Sequence, residues 1–388
     1  MNSFAFYNPT RIYYGKGQVE THLAEEVRHY GKKVLLVYGG GSIKKFGLYD
    51  KVMASLRDAN AEVFELSGIE PNPRLSTVHK GVAICKEQGI DLVLAVGGGS
   101  VLDASKAIAA GALYDGDVWD FYATRKRPEA ALALGTILTL SATGSEMNSG
   151  GVITNWETKQ KIGSGSVHTF PKFSFCDPEN TFTVSREQTT YGLVDMFSHV
   201  LESYFSHTPN TDLQERLCES VMQTILAHAD AVLENPTDYD EREAIMYCGT
   251  MALNGMISMG MQGDWATHAI EHEISAFHDI PHGGGLAIIF PNWMKHVLDS
   301  GTARFAQLAT RVFGIEQGSK SERDLALAGI DAVRAFFDRI GAPRTLAHYG
   351  IGRDHFNEMA AHATRYGTVG QYKKLTAADV IAILEACV

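Results

Sequence analysis

Short apolar runs and helical spacing alternate along the first part of the chain, and helical spacing alone fills the rest. Apolar runs at 33–38 (KVLLVY), 62–66 (EVFEL), 91–96 (DLVLAV), 131–140 (ALALGTILTL) and 174–176 predict buried strands, because each is short and bounded by glycine, proline or polar turns. Helical spacing at 49–60, 75–88 and 101–112 falls between them. Strand, loop and helix in alternation predict a parallel α/β sheet with helical crossovers. Beyond residue 185 the pattern is helical over 186–205, 213–233, 240–259, 264–277, 285–298, 303–313, 322–340 and 377–387. Turn signals such as Asn235-Pro236 and Gly341-Ala342-Pro343 separate these segments. The pattern therefore predicts an α/β domain over 1–185 and an all-α domain over 186–388.

Composition narrows the class. The 388 residues are 45% hydrophobic and 20% charged, which suits a globular chain with a sizeable core. A net charge of -11 argues against broad binding to nucleic acid or membrane surfaces. Five scattered cysteines with no CxxC point neither to a disulfide framework nor to a thiolate zinc site. The polar, aromatic opening lacks a signal-peptide core, and no run of about 18 apolar residues occurs, so a cytoplasmic protein is expected.

Histidine is concentrated in 264–285 (DWATHAIEHEISAFHDIPHGGG), which holds His268, His272, His278 and His282. His268 and His272 are four apart and share one helical face. Asp279-Ile280-Pro281 can end that helix, and a turn back would bring His282 over His268. Upstream, Asp195 and His199 also share a helical face. Together Asp195, His199, His268 and His282 make a one-carboxylate, three-imidazole set that suits Fe²⁺ or Zn²⁺. Spacing alone also permits a plainer reading, in which such pairs stabilise solvated helix faces.

Glycine-rich loops follow two of the strands. Gly97-Gly98-Gly99-Ser100 closes one strand and opens a helix, where backbone N–H groups can hold a pyrophosphate, with Asp103 and Lys106 in the following turns. It is not GxGxxG, and a tight turn without a ligand fits equally. Gly39, Gly40, Gly41 and Ser42 form the second loop, followed by Lys44 and Lys45. No acid stands at the end of its strand to hold a ribose 2′-hydroxyl, so the loop admits a 2′-phosphate. The lysines also fit a solvated face. Thr139, Thr143 and Ser145 bring hydroxyls to the end of a further strand, where Ser and Thr also serve as local caps. Lys161, in a polar connection, can reach a ribose; on spacing alone it is exposed.

The motifs GGGSVLDASK (97–106), TLSATGSEMN (139–148), DMFSHVLE (195–202) and DWATHAIEHEISAFHDIPHG (264–283) resemble those of the iron-containing, metal-dependent alcohol dehydrogenases. The FYNPTRIYYGKG opening and the EPNP turn fit too, so the likeness runs to about residue 291. YGGGSIKK and NGMISMGMQGDWATH are most similar to the NADPH-dependent aldehyde reductase and butanol dehydrogenase branch. Ser141 and Ala142 depart from the proline and threonine common in the family's TLP-type motif. The resemblance implies a dehydroquinate synthase-like fold, with an α/β dinucleotide-binding domain and an all-α domain. It implies metal ligands Asp195, His199, His268 and His282, with His272 near the substrate or in a proton relay. Cofactor contacts are implied from Gly39–Ser42, Asn72, Gly98, Gly99, Ser100, Asp103, Thr139, Thr143, Ser145 and Lys161.

The function so implied is reduction of short-to-medium chain aldehydes to primary alcohols. One divalent ion, Fe²⁺ or Zn²⁺, polarises the carbonyl, and NADP(H) is preferred over NAD(H) as hydride source. A homodimer is expected, with no nucleic-acid or membrane partner. Trp265 and Phe277 are candidate walls of the substrate pocket, though each also fits a core role. An NAD-dependent polyol or hydroxyacid dehydrogenase, a metal-dependent lyase on the same fold, and a non-catalytic binding protein remain open alternatives.

Overall fold

The computed structural model describes residues 1–124 and 126–388. Its first part runs β1 (Arg11–Tyr14), α1 (Gln18–Tyr30), β2 (Lys33–Tyr38), α2 (Ser42–Lys45), α3 (Leu48–Asp58), β3 (Glu62–Leu66), α4 (Leu75–Gln88), β4 (Leu92–Gly97), α5 (Gly99–Ala112), α6 (Asp120–Ala123), β5 (Ala133–Leu138), β6 (Gly150–Asn155), β7 (Gln160–Gly165) and β8 (Phe173–Cys176). The rest is helical: α7 (Arg186–Tyr204), α8 (Asp212–Glu234), α9 (Tyr239–Leu253), α10 (Ala266–His278), α11 (His282–Val297), α12 (Ala303–Arg311), α13 (Glu322–Arg339), α14 (Phe356–Ala363) and α15 (Ala377–Ala386).

The chain divides into two compact units. One comprises Tyr7–Val184 and Pro236–Thr250; the other comprises Met1–Phe6, Ser185–Asn235 and Met251–Val388. Most of α9, which the helical pattern groups with its neighbours in sequence, thus packs in the sheet unit. There the Thr250 hydroxyl donates to buried Glu146, 2.5 Å away.

The sheet unit is built on six parallel strands in the order β1-β8-β5-β4-β2-β3. Strand side chains alternate between faces. Val34, Leu36 and Tyr38 of β2 share a core with Leu92, Leu94 and Val96 of β4, against Leu23 and Val27 of α1 and Val52 and Leu56 of α3. Leu35 and Val37 enter the other core with Val93, Ala95 and the α5 residues Leu102 and Ile108. Covering both faces explains why β2 and β4 read as continuous apolar runs. β6 and β7 form a separate antiparallel hairpin. Lys161 lies on β7 and is buried, not exposed as its polar surroundings suggest, because the hairpin folds it inward.

In the helical unit, α7 is buried on nearly every side from Thr189 to Tyr204. Ser185 caps it by accepting from the Gln188 amide at 3.2 Å. α11 begins at His282 itself, earlier than the helical pattern from residue 285 predicts, so Gly283, Gly284 and Gly285 occupy its first turn. Packing explains them: a Cβ on Gly283 would overlap the Tyr191 carbonyl of α7. The α7 and α11 backbones approach too closely for a side chain there.

Gly283→Ala is expected to destabilise the protein by about 1–3 kcal/mol through overpacking against backbone. Urea denaturation followed by circular dichroism measures it, and an unchanged midpoint would show that the helices separate freely.

Candidate metal centre and nucleotide-binding edge

Three imidazoles from three helices of the helical unit converge on one carboxylate oxygen. Asp195 and His199 project from successive turns of α7, and Asp195 Oδ1 lies 3.4 Å from His199 Nε2. His268 Nε2 of α10 is 3.9 Å from the same oxygen, and His282 Nε2 of α11 is 3.5 Å away. The His199 and His268 rings stack at 4.8 Å. Donor atoms of Asp195, His268 and His282 all lie within 4.8 Å of one another; His199 falls outside that mutual set and joins through its approach to Asp195. Asp195 Oδ1 and His268 Nε2 are buried and make no hydrogen bond among the described residues.

This arrangement fits a divalent cation. Bonds near 2.1 Å in a tetrahedral shell put donors about 3.4 Å apart, close to the spacings around Asp195 Oδ1. Electrostatics agree. Burial would raise the Asp195 carboxyl, but His199, His282 and His268 hold it below the usual carboxylate range. Burial pushes His199 down to about 3, leaving a neutral ring with a lone pair to give. Burial also disfavours charge on His268, yet Asp195 and Glu202 raise it to about 9. Positive charge is therefore favoured where the carboxylates converge.

Two acids in this centre escape a reading based on ligand spacing. Glu202 Oε1 is 3.1 Å from His268 Nδ1, and Glu271 Oε2 meets His282 Nδ1 in a short hydrogen bond. Their signal was present: each follows a ligand by three residues and shares its helical face. His272 is half-buried, its ring 5.4 Å from that of His282 and 6.5 Å from that of His268. Trp265 lies 5.2 Å from the His268 ring and is partly exposed. Phe277 lies instead against His355 and His362, with ring centres 5.2 and 5.7 Å away, because it sits on another face of α10. His278 lies 6.4 Å from His355.

In the sheet unit, the two glycine loops and the Thr139–Ser145 segment follow the carboxyl ends of β2, β4 and β5, whereas Asn72 precedes α4 and Lys161 lies on β7. From β2 the chain passes outward to β3, and every later strand of this sheet lies on the other side, so β2 and β4 flank the switch point where open α/β sheets bind ligands. Gly39–Ser42 and Gly98–Ser100 stand there, and α5 starts at Gly99 with its N-terminus beside β4. The Thr139 amide bonds to the Gly97 carbonyl at 3.0 Å. Asn72 is buried in a left-handed turn before α4.

Asp103, Lys106 and Ser145 form an internal network. Ser145 Oγ donates to Asp103 at 2.6 Å and accepts from Lys106 Nζ at 2.8 Å. Lys106 also donates to Asn148 Oδ1 and the Gly150 carbonyl, and Asp103 accepts from the Val152 amide. Near the Gly39 loop, Lys44 Nζ lies over the Tyr38 and Tyr49 rings and 3.6 Å from Glu65. Glu65 also accepts from both tyrosine hydroxyls, at 2.6 and 2.7 Å. An acid therefore does stand near this loop, brought in by β3.

Comparison with known proteins places these features in a family. Residues 9–178 match the model for iron-containing alcohol dehydrogenase, and 189–388 match that for the C-terminal part of the Fe-containing alcohol dehydrogenase family. The chain is 57% identical over 386 residues to a probable NADH-dependent butanol dehydrogenase of Bacillus subtilis, covering 100% of both chains. It is 40% identical over 355 residues to the NADPH-dependent aldehyde reductase YqhD of Escherichia coli, covering 90% of each. The crystal structure of a Thermotoga maritima NADH-dependent butanol dehydrogenase A matches with a TM-score of 0.95 at 41% identity, covering 100% of this chain and 99% of that one. The chain thus belongs to the iron-containing alcohol dehydrogenase family and is an oxidoreductase of that class.

Proposed function

We propose that the protein interconverts short-to-medium chain aldehydes and primary alcohols, with one divalent ion held by Asp195, His199, His268 and His282. The observation that carries this reading is Asp195 Oδ1, buried without a hydrogen bond and 3.4–3.9 Å from three imidazole Nε2 atoms. When bound, the ion supplies Lewis acidity to the substrate oxygen and a nicotinamide supplies the hydride. The chain's own residues do the rest. The three imidazoles and Asp195 fix the substrate oxygen's position. His272 holds a proton on a ring nitrogen for transfer to that oxygen during reduction and takes it back during oxidation. The partly exposed Trp265 borders the centre and screens it from water. One carboxylate with three imidazoles suits Fe²⁺ and Zn²⁺ alike. The names of the Bacillus and Escherichia relatives support aldehyde and alcohol substrates.

For the cofactor we favour NADH. An acid-free Gly39–Ser42 loop followed by Lys44 and Lys45 argues for NADPH. Lys44, however, is already met by Glu65, Tyr38 and Tyr49, and Glu65 adds negative charge near the carboxyl end of β2. A 2′-phosphate would have to displace those contacts. The NADH-dependent names of the Bacillus and Thermotoga relatives support this choice.

Initial rates with butanal are expected to favour NADH over NADPH by about tenfold in kcat/KM, or about 1.4 kcal/mol. The reverse preference would restore the 2′-phosphate reading, and no oxidation of either would favour the lyase alternative. Stripping the metal with a chelator is expected to abolish turnover, with Zn²⁺ or Fe²⁺ restoring it. His268→Ala is expected to lower kcat by at least about 10²-fold while leaving NADH affinity, read by nucleotide fluorescence, nearly unchanged. Full activity in that variant would remove His268 from the ligand set.

A further inference from the structure

Behind the imidazoles stand two carboxylates outside the set of Asp195, His199, His268 and His282, each turned to an imidazole Nδ1. Glu202 and Glu271 are both fully buried. Glu202 lies on α7, one turn beyond His199. Its Oε1 faces His268 Nδ1 at 3.1 Å, and accepts from the His268 amide at 3.2 Å and from the Thr267 hydroxyl. Its Oε2 accepts from the Trp265 amide at 2.6 Å. Trp265, the residue before α10, supplies no side-chain cap. The carboxylate of another helix therefore satisfies amides at the start of α10 and orients the ligand there.

Glu271 repeats the arrangement one turn further along. Its Oε2 meets His282 Nδ1, and its Oε1 accepts from the Ser275 hydroxyl. Gly285 makes room for it, since a Cβ there would come within 2.8 Å of Glu271 Cγ and 2.9 Å of Oε1. His199 has no such support, because its buried Nδ1 makes no hydrogen bond.

Chemistry fixes what these contacts do. A neutral imidazole carries one N–H and one lone pair. A carboxylate at Nδ1 holds the proton there, which leaves the lone pair on Nε2, the atom turned to Asp195. It also raises the basicity of that nitrogen and restrains the ring. Together with Asp195, these two acids would bring three carboxylates to bear on a divalent ion held by the four donors.

We propose that Glu202 and Glu271 are positioning residues of the metal centre. Each fixes the tautomer and orientation of one imidazole, His268 or His282, and the pair sets ion affinity. This rests on the metal reading of Asp195, His199, His268 and His282. Glu202 has a second task as the cap of α10, so its loss weakens the fold as well as the site. Glu271 serves the ligand more narrowly.

The test is Zn²⁺ titration of the full-length, metal-stripped protein against a chromophoric chelator, for wild type, Glu271→Gln and Glu202→Gln. The wild type is expected to bind one Zn²⁺. Glu271→Gln is expected to weaken that affinity by about 10–100-fold with the melting temperature of the metal-free protein kept near wild type. Saturating Zn²⁺ then returns most of kcat, since the four donors remain. Glu202→Gln is expected to lose affinity similarly and also to melt lower, because its amide nitrogen replaces one of the two oxygens that accept separately from the Trp265 and His268 amides, so one of those amides loses its acceptor. An unchanged Zn²⁺ affinity in a folded Glu271→Gln variant overturns the proposal whatever Glu202→Gln does. A wild type that binds no Zn²⁺ or Fe²⁺ would instead overturn the metal reading beneath it.

Discussion

A buried carboxylate ringed by imidazoles is the constraint on which the helical unit turns. Asp195 is removed from water and its Oδ1 takes no hydrogen bond among the described residues, while Glu202 and Glu271 are buried against two of the same imidazoles. Isolated buried charges are strongly unfavourable unless paired or coordinated. Local features that look odd alone follow from meeting this demand. Trp265 takes a left-handed φ of 65°, a conformation disfavoured by about 1–3 kcal/mol for a bulky residue. It persists because its amide ends on Glu202. The glycines of α11 follow as well: without Gly283 the helix could not reach α7, and without Gly285 Glu271 could not stand behind His282.

The sheet unit meets a milder form of the same demand. Lys106 is fully buried, and burial draws its ammonium down to about 8. Its three donors are all used, on Ser145, Asn148 and the Gly150 carbonyl. Asp103 ties Ser145 and the Val152 amide to the same helix. α5 thus grips the whole segment after β5 from two successive turns, and that segment carries Thr139 and Thr143. A hydroxyl wall at the sheet's carboxyl edge is held by charges that need not touch a ligand themselves.

Much of this was legible in the residues, and the limits have physical causes. Strands β2 and β4 are covered on both faces, so their apolar runs stand out; so do the helices whose buried stripe repeats every three or four residues. The short edge strand β1 and the hairpin β6–β7 escape notice because Arg11, Lys161 and several glycines interrupt any apolar run. Helix α1 escapes because its buried set includes Glu26 and its remaining face is charged. Asp195, His199 and His268 were marked by helical spacing. His282 follows from the break at Asp279-Ile280-Pro281, after which the chain returns to His268, and it also opens a new helix with a glycine-rich first turn. Glu202 and Glu271 were overlooked because acids near histidines on a helix are ordinary, and only burial separates a ligand's partner from a solvated neighbour.

The Gly39 loop shows where a local reading reverses. An acid at the end of β2 is the familiar signal for a ribose 2′-hydroxyl, and none is there. In a parallel sheet, however, neighbouring strands deliver side chains to the same edge. Register pairs Leu36 of β2 with Glu65 of β3, and Glu65 reaches the Tyr38 hydroxyl. The charge that a sequence reader seeks within the loop arrives from the adjacent strand, and it meets Lys44, the cation on which the opposite inference depended. Electrostatic character at this edge is therefore a property of the strand pairing. Two chains with the same glycine loop can hold opposite fields there if the residue opposite Leu36 differs.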